Sequence, residues 1–285
     1  MVNIGRLFTS TGVKAVEKEL AAIARQEKKL RLAKLSATTP QLRTTFENKI
    51  PLSVYNGVEK AFRKAFLTVF DSKLVEKSCN KDGIIEDYEI RQYAVSVRGR
   101  RKELRQLAGI AKSANTKNIL LTTAEGIGLG ALGIGLPDIV VFIGVLLKGV
   151  YETALSYGFT YETPEERLLI LKLLAASLAN GEEFDKLNGE IDNSLKGILP
   201  LVDETALNNQ IEITAKHFAV DMLLLKTIQG LPIVGVVGGA GNPVYYRRIM
   251  KYVELKYAKR YLLNAYDEAL TTDNKKFNTQ KEDDC

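Results

Sequence analysis

Residues 125–147, "EGIGLGALGIGLPDIVVFIGVLL", crowd five glycines (Gly126, Gly128, Gly130, Gly133 and Gly135) into ten positions before Pro137, Asp138 and an apolar run. Three architectures compete for such a stretch. Gly128, Gly130 and Gly133 satisfy G-x-G-x-x-G, but a dinucleotide site needs a hydrophobic strand before the first glycine and an unbroken helix after the third. Here Glu125 stands among the preceding residues and Pro137 would break the helix. A bilayer span is the second reading, since residues 126–147 carry a single charge, Asp138, and are long enough to cross. Gly135-Leu136-Pro137 divides that run, and a mid-span aspartate costs about 2.5–3.5 kcal/mol. The third reading is two helices meeting at a Gly-Pro corner, with Asp138 in the first turn of the second, where the helix dipole favours a negative charge. Gly126, Gly130 and Gly133 then share one face that admits a close neighbour. Close packing has to offset roughly 1 kcal/mol of helix propensity per glycine.

The same grammar recurs downstream. "GLPD" at 135–138 is echoed by "GLPI" at 230–233, followed by Gly235, Gly238 and Gly239. A basic block flanks each segment. Arg98, Arg100, Arg101, Lys102, Arg105, Lys112 and Lys117 precede the first, against one acid, Glu103. Arg247, Arg248, Lys251, Lys256, Lys259 and Arg260 follow the second. The expectation is two apolar corners nested through Gly126, Gly130, Gly133, Gly135, Gly235, Gly238 and Gly239. Cationic arms, chiefly Arg98, Arg100, Arg101, Lys102, Arg105, Arg247, Arg248 and Lys251, would meet anionic headgroups at about 1 kcal/mol per well-placed cation.

The rest of the chain reads as helix. Of its 285 residues, 46% are hydrophobic and 26% charged, which excludes a disordered chain and a polytopic membrane protein. The net charge of +6 favours anionic surfaces in general. Two cysteines, Cys79 and Cys285, make no disulfide framework and fit a reducing compartment, and the N-terminus has no secretory h-region. From Ser10 to Leu35, Val13, Val16, Leu20, Ile23 and Leu30 fall on one helical face. The opposite face is assigned Lys14, Lys18, Arg25, Lys28, Lys29, Arg31 and Lys34, a basic amphipathic helix that either lies on a membrane or packs on its own domain. Turn formers follow to residue 50, and a helix starts at Pro51 with Phe62, Phe66 and Phe70 in its apolar stripe. "KSCNKDGIIEDYEI" resembles a calcium loop with Gly83 at position six, but Ser78 occupies position one, so a plain turn is preferred. Thr163, Pro164 and Glu166 form a capping-box start for a mostly apolar helix ending before Asn180-Gly181. Helices are expected over 183–206, 208–229 and from Asn242. The polar tail 271–285 is expected to be disordered. No period-two alternation appears, so the predicted fold is all-α. It is a multi-helix bundle with a central Gly/Pro-rich apolar hairpin or corner, divided into a basic N-terminal helix and linker (1–49), a helical domain (50–270) and the tail.

Catalytic constellations are thin. The single histidine, His217, has no histidine partner for zinc chemistry and no serine motif for a triad. Cys79 lacks an activating neighbour. Glu125, Asp138, Glu152, Glu166 and Arg167 lie near the apolar centre and are the candidate catalytic set, with Lys148 and Glu152 an i, i+4 pair. Caps and buried ion pairs explain them more economically than acid/base work. No cofactor or metal site is expected, and no nucleic-acid module is recognised.

Residues 125–174, "EGIGLGALGIGLPDIVVFIGVLLKGVYETALSYGFTYETPEERLLILKLL", resemble the EcsC protein family, as does "LPIVGVVGGAGN" before a basic, tyrosine-rich last helix. The resemblance extends from about Ile50 to Leu270. It implies a helical fold, a bacterial cytoplasmic setting and, through gene neighbourhoods shared with an ABC transporter, an accessory role beside a membrane transporter. It implies no catalytic residues. The expected function is therefore a non-enzymatic peripheral protein on the inner face of the membrane, binding an anionic surface or an apolar ligand. The alternative is an enzyme using the central carboxylates, alone or with a metal.

Overall fold

A computed structural model describes residues 10–36, 50–72, 74–109, 136–196, 201–229 and 242–283. All the regular structure among them is helical: α1 (Ser10–Ser36), α2 (Leu52–Ser72), α3 (Leu74–Ser78), α4 (Lys81–Arg98), α5 (101–109), α6 (Leu136–Ser156), α7 (Pro164–Leu178), α8 (Gly181–Ser194), α9 (Glu204–Gln229) and α10 (Asn242–Asp283).

The apolar run after Pro137 becomes α6, the hub of the bundle. Its window Ile139–Ser156 has a mean hydropathy of 1.7, enough by length and composition to cross a bilayer, yet 78% of it is buried against the chain itself. It packs on α2, α3, α4 and α10. Ile143, Leu146, Leu147, Val150 and Ala154 are completely enclosed. A helix that is apolar all round can hide its surface inside a protein as well as in lipid, and α6 takes the first course. Asp138 falls in its first turn. The glycine-rich segments 126–135 and 230–241, and with them the nested corner, lie outside the described residues.

α7 forms the second central helix, sandwiched by α8, α9 and α10. Thr163 accepts a hydrogen bond from the Glu166 amide at 3.2 Å, and Pro164 occupies the first position, as the sequence predicts. The reciprocal half of the capping box is not made, because the Glu166 carboxylate turns into the core. α2 and α9 close the far side through an aromatic cluster in which Phe218 meets Phe62, Phe66, Phe142 and Tyr245 at centroid distances of 5.2–6.4 Å. Burying each such ring contributes on the order of 2–3 kcal/mol.

The plain turn preferred to a calcium loop is short: α3 ends at Ser78 and α4 starts at Lys81, so Asp82, Ile85 and Glu89 are helical. Three expectations change. The helix expected over 183–206 stops at Ser194, and α9 starts only at Glu204, with Pro200 between them. α10 continues past Leu270 to Asp283 as helix. Lys34, assigned to the solvent face of α1, is buried. At 100° per residue it lies 200° from Lys14 and in line with Val16, Ile23 and Leu30.

Candidate functional site

α1 and α10 lie antiparallel, and their interface sorts the basic residues into two kinds. On α10, Lys256 and Lys259 point inward. Lys256 Nζ reaches Glu27 and Asp192 at 2.6 Å each, and Lys259 Nζ reaches the same two carboxylates at 2.9 and 3.0 Å. Burial opposes both charges, but the opposite partners overcome it. The Asp192 carboxyl is held below its ordinary range and the Lys259 ammonium above its own. Arg260 donates to both oxygens of Glu166 at 2.9 and 2.7 Å and stacks on Phe159 at 4.1 Å, while the Tyr257 hydroxyl donates to Glu166 at 2.7 Å. Lys256, Lys259 and Arg260, expected in the headgroup-facing arm, are therefore structural.

Of the candidate catalytic set, Glu152, Glu166 and Arg167 are dispersed among similar pairs, and the Asp138 side chain lies outside what the structure describes. Glu166 is shared by Tyr257 and Arg260. Arg167 meets Glu76 at 3.3 Å and lies over Phe70, as its burial requires. Glu152 is paired with Lys148 at 4.0 Å. Burial, then the nearby Glu152 charge, pushes the Cys79 thiol up to about 12, so it is no nucleophile at neutral pH. Tyr151 and Tyr161 stack at 4.1 Å between these pairs. Glu125 lies outside the described residues. Among the described residues, no three metal-ligating side chains converge.

On α1 the opposite sorting holds. Lys14, Lys18, Arg25, Lys28 and Lys29 are all exposed and fall within a 100° arc of the helix surface. No described carboxylate lies within ion-pair distance of any of the five. The stripe continues into Leu32 and Leu35, 58% and 41% exposed. Glu19 and Glu27, which would neutralise it, are turned toward α5 and α10. Arg31 is set aside by Asp185, its guanidinium donating at 2.6 and 2.8 Å.

The expected cationic arms do not form one surface. Arg101 and Arg105 share Glu19 at 2.6 and 3.0 Å, and Arg98 reaches the buried Glu103 at 3.8 Å. Arg100 and Lys102 are exposed beside them. Gly99, at φ 57, brings this block against Gly12 at the start of α1. Arg248 is held by Asp221 beside Lys34, at the other end of α1, with Arg247 and Lys251 exposed on the neighbouring turn of α10. Glu19 and Lys34 are 15 residues apart, about 22 Å along the helix. The two blocks thus meet α1 near its opposite ends, each through residues other than the stripe. Gly126, Gly130, Gly133, Gly135, Gly235, Gly238 and Gly239 lie outside the described residues, as do Lys112 and Lys117.

Sequence reasoning missed a third grouping, in which Lys34, His217, Asp221, Tyr245 and Arg248 gather where α1, α9 and α10 meet. Lys34 Nζ donates to the Ser177 carbonyl at 2.6 Å and lies 5.7 Å over the Phe184 ring. Burial, then repulsion from Arg248, lowers its pKa to about 8, with Asp221 opposing. Burial likewise lowers His217 against the pull of Glu183 and Asp221, so its imidazole is neutral at pH 7. The register of Lys34 with Val16, Ile23 and Leu30 was the available signal.

The family comparison covers this same framework. The EcsC protein family matches residues 14–262, from the first lysine of the α1 stripe through the inward cations of α10. This chain belongs to the EcsC protein family. The match takes in α1, which the resemblance read from the sequence left out, so the basic helix is part of the EcsC unit. No curated protein and no solved structure matches the chain.

Proposed function

We propose that this EcsC-family protein is a non-enzymatic peripheral protein that docks on the anionic inner face of a bacterial membrane through α1. The observation that carries this reading is the stripe Lys14, Lys18, Arg25, Lys28 and Lys29, exposed and without a described carboxylate partner, while Arg31, Lys256, Lys259 and Arg260 are each met by a carboxylate. Leu32 and Leu35 supply apolar contact at its C-terminal end. Such a surface approaches headgroups side-on, with the helix axis in the membrane plane. Membrane insertion of α6 is not required.

Flotation of the full chain with vesicles of phosphatidylcholine, with and without phosphatidylglycerol, tests the proposal. Binding is expected only with the anionic lipid and is expected to fall steeply as salt rises. Replacing the five stripe residues by glutamine removes about 1 kcal/mol each at low salt, so affinity falls more than a hundredfold. Equal binding to neutral vesicles, or full retention by the five-site variant, would overturn the reading.

A further inference from the structure

α4 is held chiefly from one side. It packs on α6, and Gln92 accepts from the Tyr261 hydroxyl of α10 at 2.6 Å. Gln92, Val95 and Ser96 are buried there. On the other side Ile90, Tyr93 and Val97 are 61%, 72% and 63% exposed. At 100° per residue these three fall within an arc of about 60°. Asp82, Glu86 and Glu89 are exposed on the N-terminal continuation of the same face.

Two features of this face are unexplained by folding. Large apolar side chains at i, i+3 and i+7 have the spacing of a helix-pairing seam, and a contiguous exposed apolar patch ordinarily marks an interaction surface. The charges around the patch are also segregated. Asp82, Glu86 and Glu89 precede Tyr93 and have no cation partner among the described residues. Arg98 and Arg100 follow it. The Arg98 side chain is 66% exposed, 3.8 Å from Glu103. Arg100 lies just past the left-handed turn at Gly99 and is exposed, with no described carboxylate partner. A face with acids at one end, cations at the other and apolar residues between is complementary to its own reverse.

We propose that α4 is the seam of a homodimer in which two copies of this chain pair antiparallel about Tyr93. A two-fold axis there lays Ile90, Tyr93 and Val97 of one copy over the same three residues of the other. Glu86 and Arg100 stand seven residues to either side of Tyr93, so each Glu86 comes opposite the other copy's Arg100. A parallel pairing sets acids against acids and cations against cations, which the segregation disfavours. An isologous contact of this kind closes on itself and stops at two copies. A seam of one helix buries less than the roughly 1,600 Å² of a standard interface, so the dimer exchanges with monomer at micromolar concentrations.

The seam uses none of the α1 stripe and does not rest on the membrane reading. Sedimentation velocity of the full chain across the micromolar range tests it, and a monomer–dimer equilibrium is expected. Ile90→Ser with Tyr93→Ser changes two exposed side chains, so it is expected to raise the dimer dissociation constant at least tenfold with Tm unchanged. Glu86→Lys and Arg100→Glu, each alone, are expected to raise it at least tenfold, because each sets like charges together at both ends of the seam. Mixed in equal amounts, those two single variants are expected to form a heterodimer about as tight as the native dimer, since every facing pair is then opposite in sign. The five-site stripe variant keeps the dimer. A monomer at every concentration, a dimer unchanged by Ile90→Ser with Tyr93→Ser, or a mixture that fails to recover overturns the proposal. A monomer whose vesicle binding is lost in that double variant also overturns it, and gives the face to the membrane instead.

Discussion

α1 and α10 are both rich in lysine and arginine, and they use them in opposite ways. On α10, Lys256, Lys259 and Arg260 are each met by a carboxylate and withdrawn from solvent. On α1, Lys14, Lys18, Arg25, Lys28 and Lys29 stand in water with no described carboxylate within ion-pair distance. Net charge treats the two sets alike, and only burial separates them. A buried cation needs its partner to exist at all, because an isolated charge in the core costs several kcal/mol. An exposed one is solvated already and remains available to an external anion. The lesson is that a basic segment announces a surface only after its inward-facing members have been subtracted.

That contrast can be broken by substitution. The largest loss is expected from Glu166→Ala, which leaves the Arg260 guanidinium and the Tyr257 hydroxyl without their carboxylate. Chemical denaturation should show a loss of about 3–5 kcal/mol. Lys256→Met should cost less, about 1–3 kcal/mol, because Lys259 still faces Glu27 and Asp192. Acid offers a test of the same network. The Asp192 carboxyl titrates below its unfolded value, so its contribution is present above about pH 4 and is lost as pH falls through the folded pKa. Asp192→Asn should therefore lower Tm at neutral pH and flatten the fall in Tm between pH 4 and 2. The smallest effect on stability is expected from Lys14→Gln with Lys18→Gln, within about 0.5 kcal/mol by the same denaturation. If that pair proved as damaging as Glu166→Ala, the division between inward and outward cations would be false.

Much of the fold was legible because it is written locally. Thr163, Pro164 and Glu166 announce the start of α7, and the run after Pro137 announces a core-grade helix. The α1 face of Val16, Ile23 and Leu30 follows from spacing alone. The break between α8 and α9 was also legible, since Pro200 stands in it, but apolar periodicity was allowed to run across it. What could not be read was pairing at a distance. Nothing near Glu27 indicates that its partners are Lys256 and Lys259, more than two hundred residues on. The site was legible in part. The stripe is local and projects from the sequence, whereas the Lys34 locus needs α1, α9 and α10 brought together. The block Arg247–Arg260 misled because a run of basic residues on a helix turns through every direction, and local sequence does not say which directions are inward.

The bond from Lys256 to Glu27 spans 229 residues of chain. A ribosome adding 5–20 residues per second takes roughly 10–50 seconds to cover that interval. For that time the inner face of α1 has no α10 to rest on, and its outward cations are already exposed. The nascent chain thus completes the earlier partners of α1, Arg101 and Asp185, well before the Lys256 and Lys259 clamp on Glu27 has been synthesised.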